Sequence, residues 1–512
     1  MQAFIQRHQE DVIGVLEGFD RLLFRGTLRS ISYAEGLDRF LTVARVRYKD
    51  FGVFAQGLSE RLKDHAQKVA AKAGRPYTYL AASGQSKEDL ARSLAERDGI
   101  TEGLVCILSS VEPCMSFSIR RDGQGGFRFR SEQRKCLHLY YYYLDRDLGL
   151  MHVRLATWLP FGIQVCLNGR QYLARRMAQA GIGFEQRDNC FVRIDDLPRA
   201  QQMLQQLETR KWERLLGALV RRVNPLLGGS KGLDLHPYYW SLRESEYATD
   251  ILFKDASTLA RIYPALLDHA IKRFSSKDVL RFLGRRVTRA FAGEASASYL
   301  ERREGVRVKH WAQENSIKMY DKHGSVLRVE TTINNPRRFK VRRITVWKQV
   351  RRMRWMPMRH GVADLDRRVE ISRAANQRYL EALAVVEVPA PARALLDAVS
   401  RPVLRHRRPY RPLRPVSRTE AAVFTAVLSG QFLLKGFTNR DLRQRLEPEK
   451  SFDPQERRRA SGRMTRWLRL LRAHGLIRKI SGTRYYRVTA KGHRLMTAAL
   501  KLREADVAKL SA

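Results

Sequence analysis

The sequence predicts a mixed α/β or α+β body with an antiparallel sheet, followed by a small C-terminal domain of helices and one basic hairpin. Three observations lead there. Up to residue 387, short β-prone runs alternate with amphipathic helical stretches. Residues 388–416 then set Pro389, Pro391, Pro402, Pro409, Pro412 and Pro415 among arginines, which favours extended, self-repelling chain and predicts a linker. Beyond it the apolar spacing is helical as far as Gly475, a left-handed cap position, and two short β-prone runs follow. The expected domains are residues 1–227, an α/β domain; 233–387, helices plus a β-hairpin; the linker; and 417–512.

The elements follow in order. Residues 77–80 read as a strand, 86–97 as a helix with Ser86 and Asp89 in capping register, and 104–108 as a buried strand, a βαβ-like segment. Residues 136–144 and 151–158 read as an antiparallel hairpin that turns at 145–149. Helical periodicity recurs at 168–180, 198–210 and 212–222, and the glycines of 228–232 mark a break. Helices at 256–274 and 277–283, a second β region over 307–350 and an amphipathic helix at 366–384 complete the body. In the C-terminal domain, a helix at 418–428 precedes one at 439–446 behind Thr438, a good N-cap, and an arginine-rich helix at 457–474. The runs 476–480 and 485–489, joined by Ser481-Gly482-Thr483-Arg484, form the hairpin.

Charge narrows the partner. Lysine and arginine number 96 against 52 acids, a net charge of +44 and a pI of about 10.7. Such a surface concentrates polyanions and associates with them in a salt-sensitive way. The apolar fraction of 44% fills real cores, and 512 residues suit roughly three domains. Cys106, Cys114, Cys136, Cys166 and Cys190 form no CxxC pair, which argues against structural zinc and suits a reducing compartment. No run of 18 apolar residues and no amphipathic terminal helix suggests a membrane, and the opening MQAFIQRHQEDV has no signal-peptide core. A cytoplasmic protein bound to nucleic acid is expected.

The arginine-rich helix carries that expectation furthest. Ala460, Met464, Trp467, Leu468 and Leu471 form one apolar stripe. Arg458, Ser461, Thr465, Arg469 and Arg472 fall opposite, and Arg459, Arg463 and Arg466 flank the stripe. A helix so divided can lie in a major groove while a basic hairpin reaches the neighbouring backbone. Together with the HGLIRKI and GTRYYRVTAKG runs of 474–492, these parts resemble a winged helix-turn-helix of the MarR-like kind over residues 417–500. The insert at 448–453 departs from that pattern. The resemblance implies duplex DNA contact by Arg458, Arg459, Arg463, Arg466, Arg469, Arg484 and Arg487. The plainer alternative is a domain used for packing.

Chemistry has three candidate places. In SIKMYDKHGSVLRVETT, residues 316–332, an odd loop of five or three residues buries Ile317, Met319, Leu327 and Val329 together. Lys318, Tyr320, Arg328 and Glu330 then share the other face, where Glu330 would hold Mg²⁺ or Mn²⁺, the cations would stabilise phosphoryl charge and Tyr320 would attack. The YDK and RxE pair resembles a signature of rolling-circle replication initiators, which implies tyrosine-mediated nicking; His138-Leu139-Tyr140 stands where they carry two histidines. The alternative is a solvated, ion-paired, phosphate-binding face. In KCLHLYYYYLDRD, residues 135–147, His138 and Tyr140 are alternative catalytic groups, or the tyrosines stack bases, or they edge a core. In WSLRESEYATDILFK, residues 240–254, a helix would put Glu246 and Asp250 on one face as metal ligands, or as a surface neutralised by Arg243 and Lys254.

Segments such as FDRLLFRGTL, EPCMSF, ATWLPFGIQVCLNGRQYLAR and EYATDI make the whole chain similar to a group of uncharacterised bacterial proteins, some labelled MarR-like regulators. The leading expectation is a DNA-binding protein of a mobile or replicating element, with the C-terminal domain locating duplex DNA and the body binding or nicking a strand. A non-enzymatic MarR-like regulator and an RNA-binding protein are the alternatives. Whether the chain is an enzyme stays open at this point.

Overall fold

A computed structural model describes the chain apart from residues 82–83, 85, 124, 228–232, 234, 285–294, 303–304, 348–349, 387–395, 406–407, 448–452 and 506–512. It shows mixed α/β secondary structure with a large, mostly antiparallel sheet. Two compact units interleave along the sequence: an N-terminal unit, Gly14–Asp250 with Glu330–Arg373, and a C-terminal unit, Met1–Ile13, Ile251–Val329 and Ala374–Ala512. These bounds cut across the expected ones. Each unit gathers segments distant in sequence, which no linker-like composition announces.

The N-terminal unit holds most of β1 (Val12–Thr27), β2 (Tyr77–Tyr79), β3 (Gly103–Arg121), β4 (Phe127–Asp145), β5 (Gly149–Ala156), β6 (Ile163–Asn168), the small hairpin of β7 (Phe184–Arg187) and β8 (Cys190–Ile194), and most of β9 (Tyr239–Phe253). In space the order is β9-β1-β6-β5-β4-β3-β2. β2 and β3 are parallel and flank the Lys87–Arg97 helix, whose N-cap Ser86 accepts from the Asp89 amide at 3.2 Å. β3 and β4 pair antiparallel from Gly103↔Leu144 out to Arg121↔Phe127, far beyond the expected segments. Their outer halves carry Ser, Arg and Glu in place of apolar alternation, so the pattern ends before the strands do.

Glycines let helices close on β1. The side chains of Leu197 and Leu204, from the Leu197–Thr209 helix, occupy the places where Cβ atoms at Gly14 and Gly18 would stand. Phe24 packs on Trp212 of the Trp212–Val223 helix with ring centroids 4.8 Å apart.

Two expectations for this unit are corrected. The segment holding Glu246 and Asp250 is the strand β9, not a helix; its aromatic and β-branched residues suit a strand buried on both faces, and everything from Tyr247 to Phe253 is buried. The tyrosine run is no open stacking platform. Tyr140, Tyr141 and Tyr142 are buried, with Tyr140 and Tyr142 in a core with Val105, Cys106 and Leu108.

In the C-terminal unit, β10 (Ala295–Arg302), β11 (Gly305–Ala312), β12 (Asn315–Lys322) and β13 (Val326–Ile333) lie in chain order, β13 from Glu330 onward counting with the N-terminal unit. Phe274, Phe282, His310 and Tyr379 form an aromatic cluster, and His310 Nε2 lies 3.1 Å from the Tyr379 hydroxyl. Burial lowers the pKa of His310 to about 4, so the ring is neutral.

The expected linker is partly folded. After β14 (Lys340–Trp347) and β15 (Val350–Pro357), β16 (Val403–Arg405) pairs with β17 (Arg408–Tyr410). Val399 and Leu413 sit in the core of the helices that follow. Those two apolar positions anchor a segment whose prolines and arginines predict free chain; its residues 388–395 and 406–407 lie outside the described ones. The helices are Arg418–Val427, Gly430–Lys435, Asn439–Leu446, Pro454–Ala473 and Ala490–Glu504, with β18 (Ile477–Lys479) paired to β19 (Tyr486–Val488) before the last. Phe424, Phe432, Phe437, Leu442, Met464, Leu468, Leu471 and Leu495 close their core. The six-residue Gly430–Lys435 helix has too few turns to show a period in the sequence.

β14 and β15 form a two-stranded sheet of their own in the N-terminal unit. No helix among the described residues is long and apolar enough to cross a membrane.

Candidate functional site

The Pro454–Ala473 helix begins with Asp453 as N-cap, its carboxylate accepting from the Gln455 amide at 3.0 Å, and with proline in its first turn. Its buried stripe is the expected one: Ala460, Met464, Leu468 and Leu471, with Trp467 part-buried against the same core. Arg458, Arg459, Arg466 and Arg469 are exposed, as are Arg484 and Arg487 of the hairpin. Arg463 is committed elsewhere, its guanidinium donating to both Glu447 oxygens at 2.9 and 3.0 Å. Ser461 and Thr465 do not face water with the arginines. Asn439 Nδ2 donates to the Ser461 carbonyl and to Thr465 Oγ1, both at 3.0 Å, and clamps the Asn439–Leu446 helix against this one.

The hairpin is tied to the same scaffold. Phe437 and Tyr486 exchange backbone hydrogen bonds at 2.8 and 2.9 Å. Gly436, at φ +70°, turns the chain into that bridge, and a Cβ there would meet the Tyr486 carbonyl at 2.5 Å. A cavity of about 440 Å³ opens beside the helix, lined by Tyr410, Arg411, Arg463, Arg466, Trp467 and Arg469. The Arg411 guanidinium lies 5.3 Å from the Trp467 ring centroid. Fixed cations beside an aromatic face can hold phosphate and a stacked ring together.

The N-terminal unit contains a different charged group. Asp20 on β1, Glu246 on β9 and Glu330 on β13 each place a carboxylate oxygen within 4.8 Å of the other two. Asp20 and Glu330 are buried and Glu246 is half-buried. Asn168 caps the Gly169–Gln179 helix, and Gly169 lies so close to the Phe19 carbonyl that no Cβ would fit. That approach carries Arg170, fully buried, to Asp250 at 2.8 Å and to Asp20 at 3.7 Å. Asn189 Nδ2 donates to both Asp20 oxygens at 2.8 Å.

Of the expected metal ligands, Glu246 and Glu330 therefore converge. Asp250 does not join them. Four residues along a strand is roughly 13 Å, too far to share an ion with Glu246, and Asp250 pairs with Arg170 instead. Asp20 was missed by the sequence reading, although a carboxylate inside the strand GVLEGFDRLLF is a signal in itself, since a buried charge requires partners. Three such oxygens are a hard donor set of the kind that suits Mg²⁺ or Mn²⁺.

The connection between β12 and β13 is His323–Ser325, one of the two odd lengths expected. Lys318, Tyr320 and Arg328 fall in the C-terminal unit and Glu330 in the N-terminal one, all four buried, so the expected solvated face is absent. Tyr140 donates to Glu112 at 2.7 Å, and Ser110, Lys87 and Arg154 surround the same carboxylate at 2.7, 3.1 and 2.8 Å. Burial alone would raise the Glu112 pKa, but the hydrogen bonds from Tyr140, Ser110 and Lys87 and the charge of Arg154 bring it down to about 2. Burial, with Glu112 alongside, pushes the Tyr140 phenol up, which opposes a nucleophilic role. His138 points Nδ1 at the Cys136 carbonyl, 3.1 Å away, and burial lowers its pKa to about 4.

No family model, curated protein or solved structure matches this chain.

Proposed function

We propose that the protein binds duplex DNA through its C-terminal helices, the Pro454–Ala473 helix entering the major groove as in a winged helix-turn-helix and the β18–β19 hairpin meeting the backbone. One observation carries this reading: between Arg457 and Lys491 there are twelve basic residues and no acid, and Arg458, Arg459, Arg466, Arg469, Arg484 and Arg487 are exposed on a scaffold closed by its own core. An exposed row of fixed guanidinium groups releases counterions from a phosphate backbone, and the helix fits a groove that reads sequence. A mobile or replicating element, or a MarR-like regulator, is the setting in which such a reader would work. RNA duplexes suit it less, because their major groove is deep and narrow.

The test is titration of the full chain with labelled DNA and RNA duplexes across a salt series. Arg458→Ala, Arg459→Ala, Arg466→Ala and Arg469→Ala together should weaken DNA binding at least tenfold and lower the log–log salt slope by about 3–4, at roughly 0.9 per phosphate contact. An unchanged slope would refute this reading. A second reading, that the N-terminal unit cuts a strand with Mg²⁺ or Mn²⁺, has the Asp20, Glu246 and Glu330 carboxylates in its favour. Labelled single-stranded and duplex DNA incubated with either ion, and no product that Glu330→Gln abolishes, would remove it.

A further inference from the structure

Among the described residues the β14–β15 ribbon pairs with no other strand, and its register runs from Lys340↔Pro357 to Val346↔Arg351 and beyond. Opposed residues of an antiparallel pair share a face. One face therefore carries Ile344, Val346, Met353 and Trp355 with Lys340, Arg342 and Arg351; the other carries Arg343, Arg352 and Arg354 with Val341, Thr345, Val350 and Met356. Every residue of β15 is exposed, and among the described side chains of β14 the exposed ones are those of the first face. Ile344, Val346, Met353 and Trp355 keep 55–66% of their surface in water.

An isolated two-stranded ribbon is marginally stable, and an apolar row left in water on one marks a surface that something covers. The base of the ribbon is firmly held. Phe339, Val341 and Met358 are buried, the Met358 amide donates to the Phe339 carbonyl at 2.8 Å, and Asp364 accepts from the Arg359 amide at 2.8 Å and from Arg343.

Charge identifies the occupant. Residues 340–357 contain seven basic side chains and no acid, so the complement is a polyanion. A two-stranded ribbon fits the major groove of B-form DNA, where apolar side chains meet thymine methyls and arginines meet guanine edges and phosphates. The Arg342 guanidinium already lies 5.8 Å from the Trp355 ring centroid, an aromatic and cationic pair of the kind nucleic-acid surfaces use. We propose that the β14–β15 ribbon is a second DNA-binding element, inserted in a duplex groove with the Ile344, Val346, Met353 and Trp355 face toward the bases. It stands independently of the C-terminal arginine helix.

The test uses the full chain and a fluorescein-labelled B-form duplex of about one turn beyond a ribbon site, with Lys340→Ala, Arg342→Ala and Arg351→Ala, the cations of the proposed face, combined. The expected result is at least a tenfold loss of affinity and a salt slope lower by about 2–3. The charge-keeping pair Arg342→Lys and Arg351→Lys should retain most of the slope, which separates lost phosphate contacts from a misfolded arm. The same losses should appear when Arg458, Arg459, Arg466 and Arg469 are already alanine, so failure of the C-terminal reading leaves this one intact. Unchanged affinity and slope would overturn the proposal. So would an effect confined to binding of phosphatidylserine vesicles, or to self-association seen by sedimentation.

Discussion

The carboxylates of the N-terminal unit and the arginines of the C-terminal unit are both dense groups of charge, yet they are built in opposite ways. Asp20, Asp250 and Glu330 are buried, and Arg170 sits between Asp20 and Asp250 with no exposed surface. Arg458, Arg459, Arg466 and Arg469 stand in water on a helix whose other side fills a core. Charge taken out of water must be matched inside the fold, so it fixes structure first and is available for chemistry second. Charge left in water contributes little to stability and remains available for a partner. Net charge alone, +44 over the chain, does not distinguish the two.

Removing the buried cation should have the largest effect. Arg170→Ala leaves Asp20 and Asp250 without it and is expected to destabilise the fold by about 3–5 kcal/mol in urea unfolding. A loss below 1 kcal/mol would mean that the cluster does not depend on the pair and would break the contrast. In the C-terminal unit the scaffold matters more than any one charge. Gly436→Ala forces a side chain into a backbone conformation at φ +70° and against Tyr486, for a loss of about 1–3 kcal/mol by thermal melting. DNA affinity should fall with it if the hairpin is held as described.

Acid sharpens the comparison further. Glu112 titrates at about 2 in the fold and near 4.5 when free. A depressed folded pKa contributes stability above the free value, and that contribution is lost as pH falls from 4.5 toward 2. Glu112→Gln should flatten the pH dependence of unfolding in that window, by on the order of 1–2 kcal/mol once partial exposure is discounted. A pH profile identical to that of the unaltered chain would show the five-group network to be inert. The smallest effect is expected on the exposed side. Glu447→Ala releases Arg463, which should tighten DNA binding by about two- to fivefold with little change in melting temperature. Weaker binding would show that the ion pair presents the helix instead of masking it.

Local chemistry was legible wherever one element carried its own signal. Ser86, Thr438 and Gly475 mark helix ends, and the stripe Ala460, Met464, Leu468 and Leu471 is buried as its spacing requires. Glu246 and Glu330 were recognisable as candidate ligands because acids inside apolar runs are conspicuous. Their third partner, Asp20, carries the same signal in GVLEGFDRLLF, but it lies far off in the chain and no spacing rule connects it to them. The β9 error has the same origin: acids at i and i+4 are equally compatible with a helix and with a strand, and only burial of both faces decides. The expected linker failed for a related reason, because Val399 and Leu413 reach a core that composition cannot see.

The amino-acid order by itself determined the helix starts marked by caps such as Ser86 and Thr438, which side of the arginine helix is apolar, and that the molecule is strongly cationic, because those properties act over one or two turns or not at all through space. Tertiary structure alone decided that Asp20, Glu246 and Glu330 meet, that Arg170 lies against Asp20 and Asp250, and that the chain divides between Val329 and Glu330. Such meetings depend on which strands become neighbours, and strand order is set by the packing of the whole sheet.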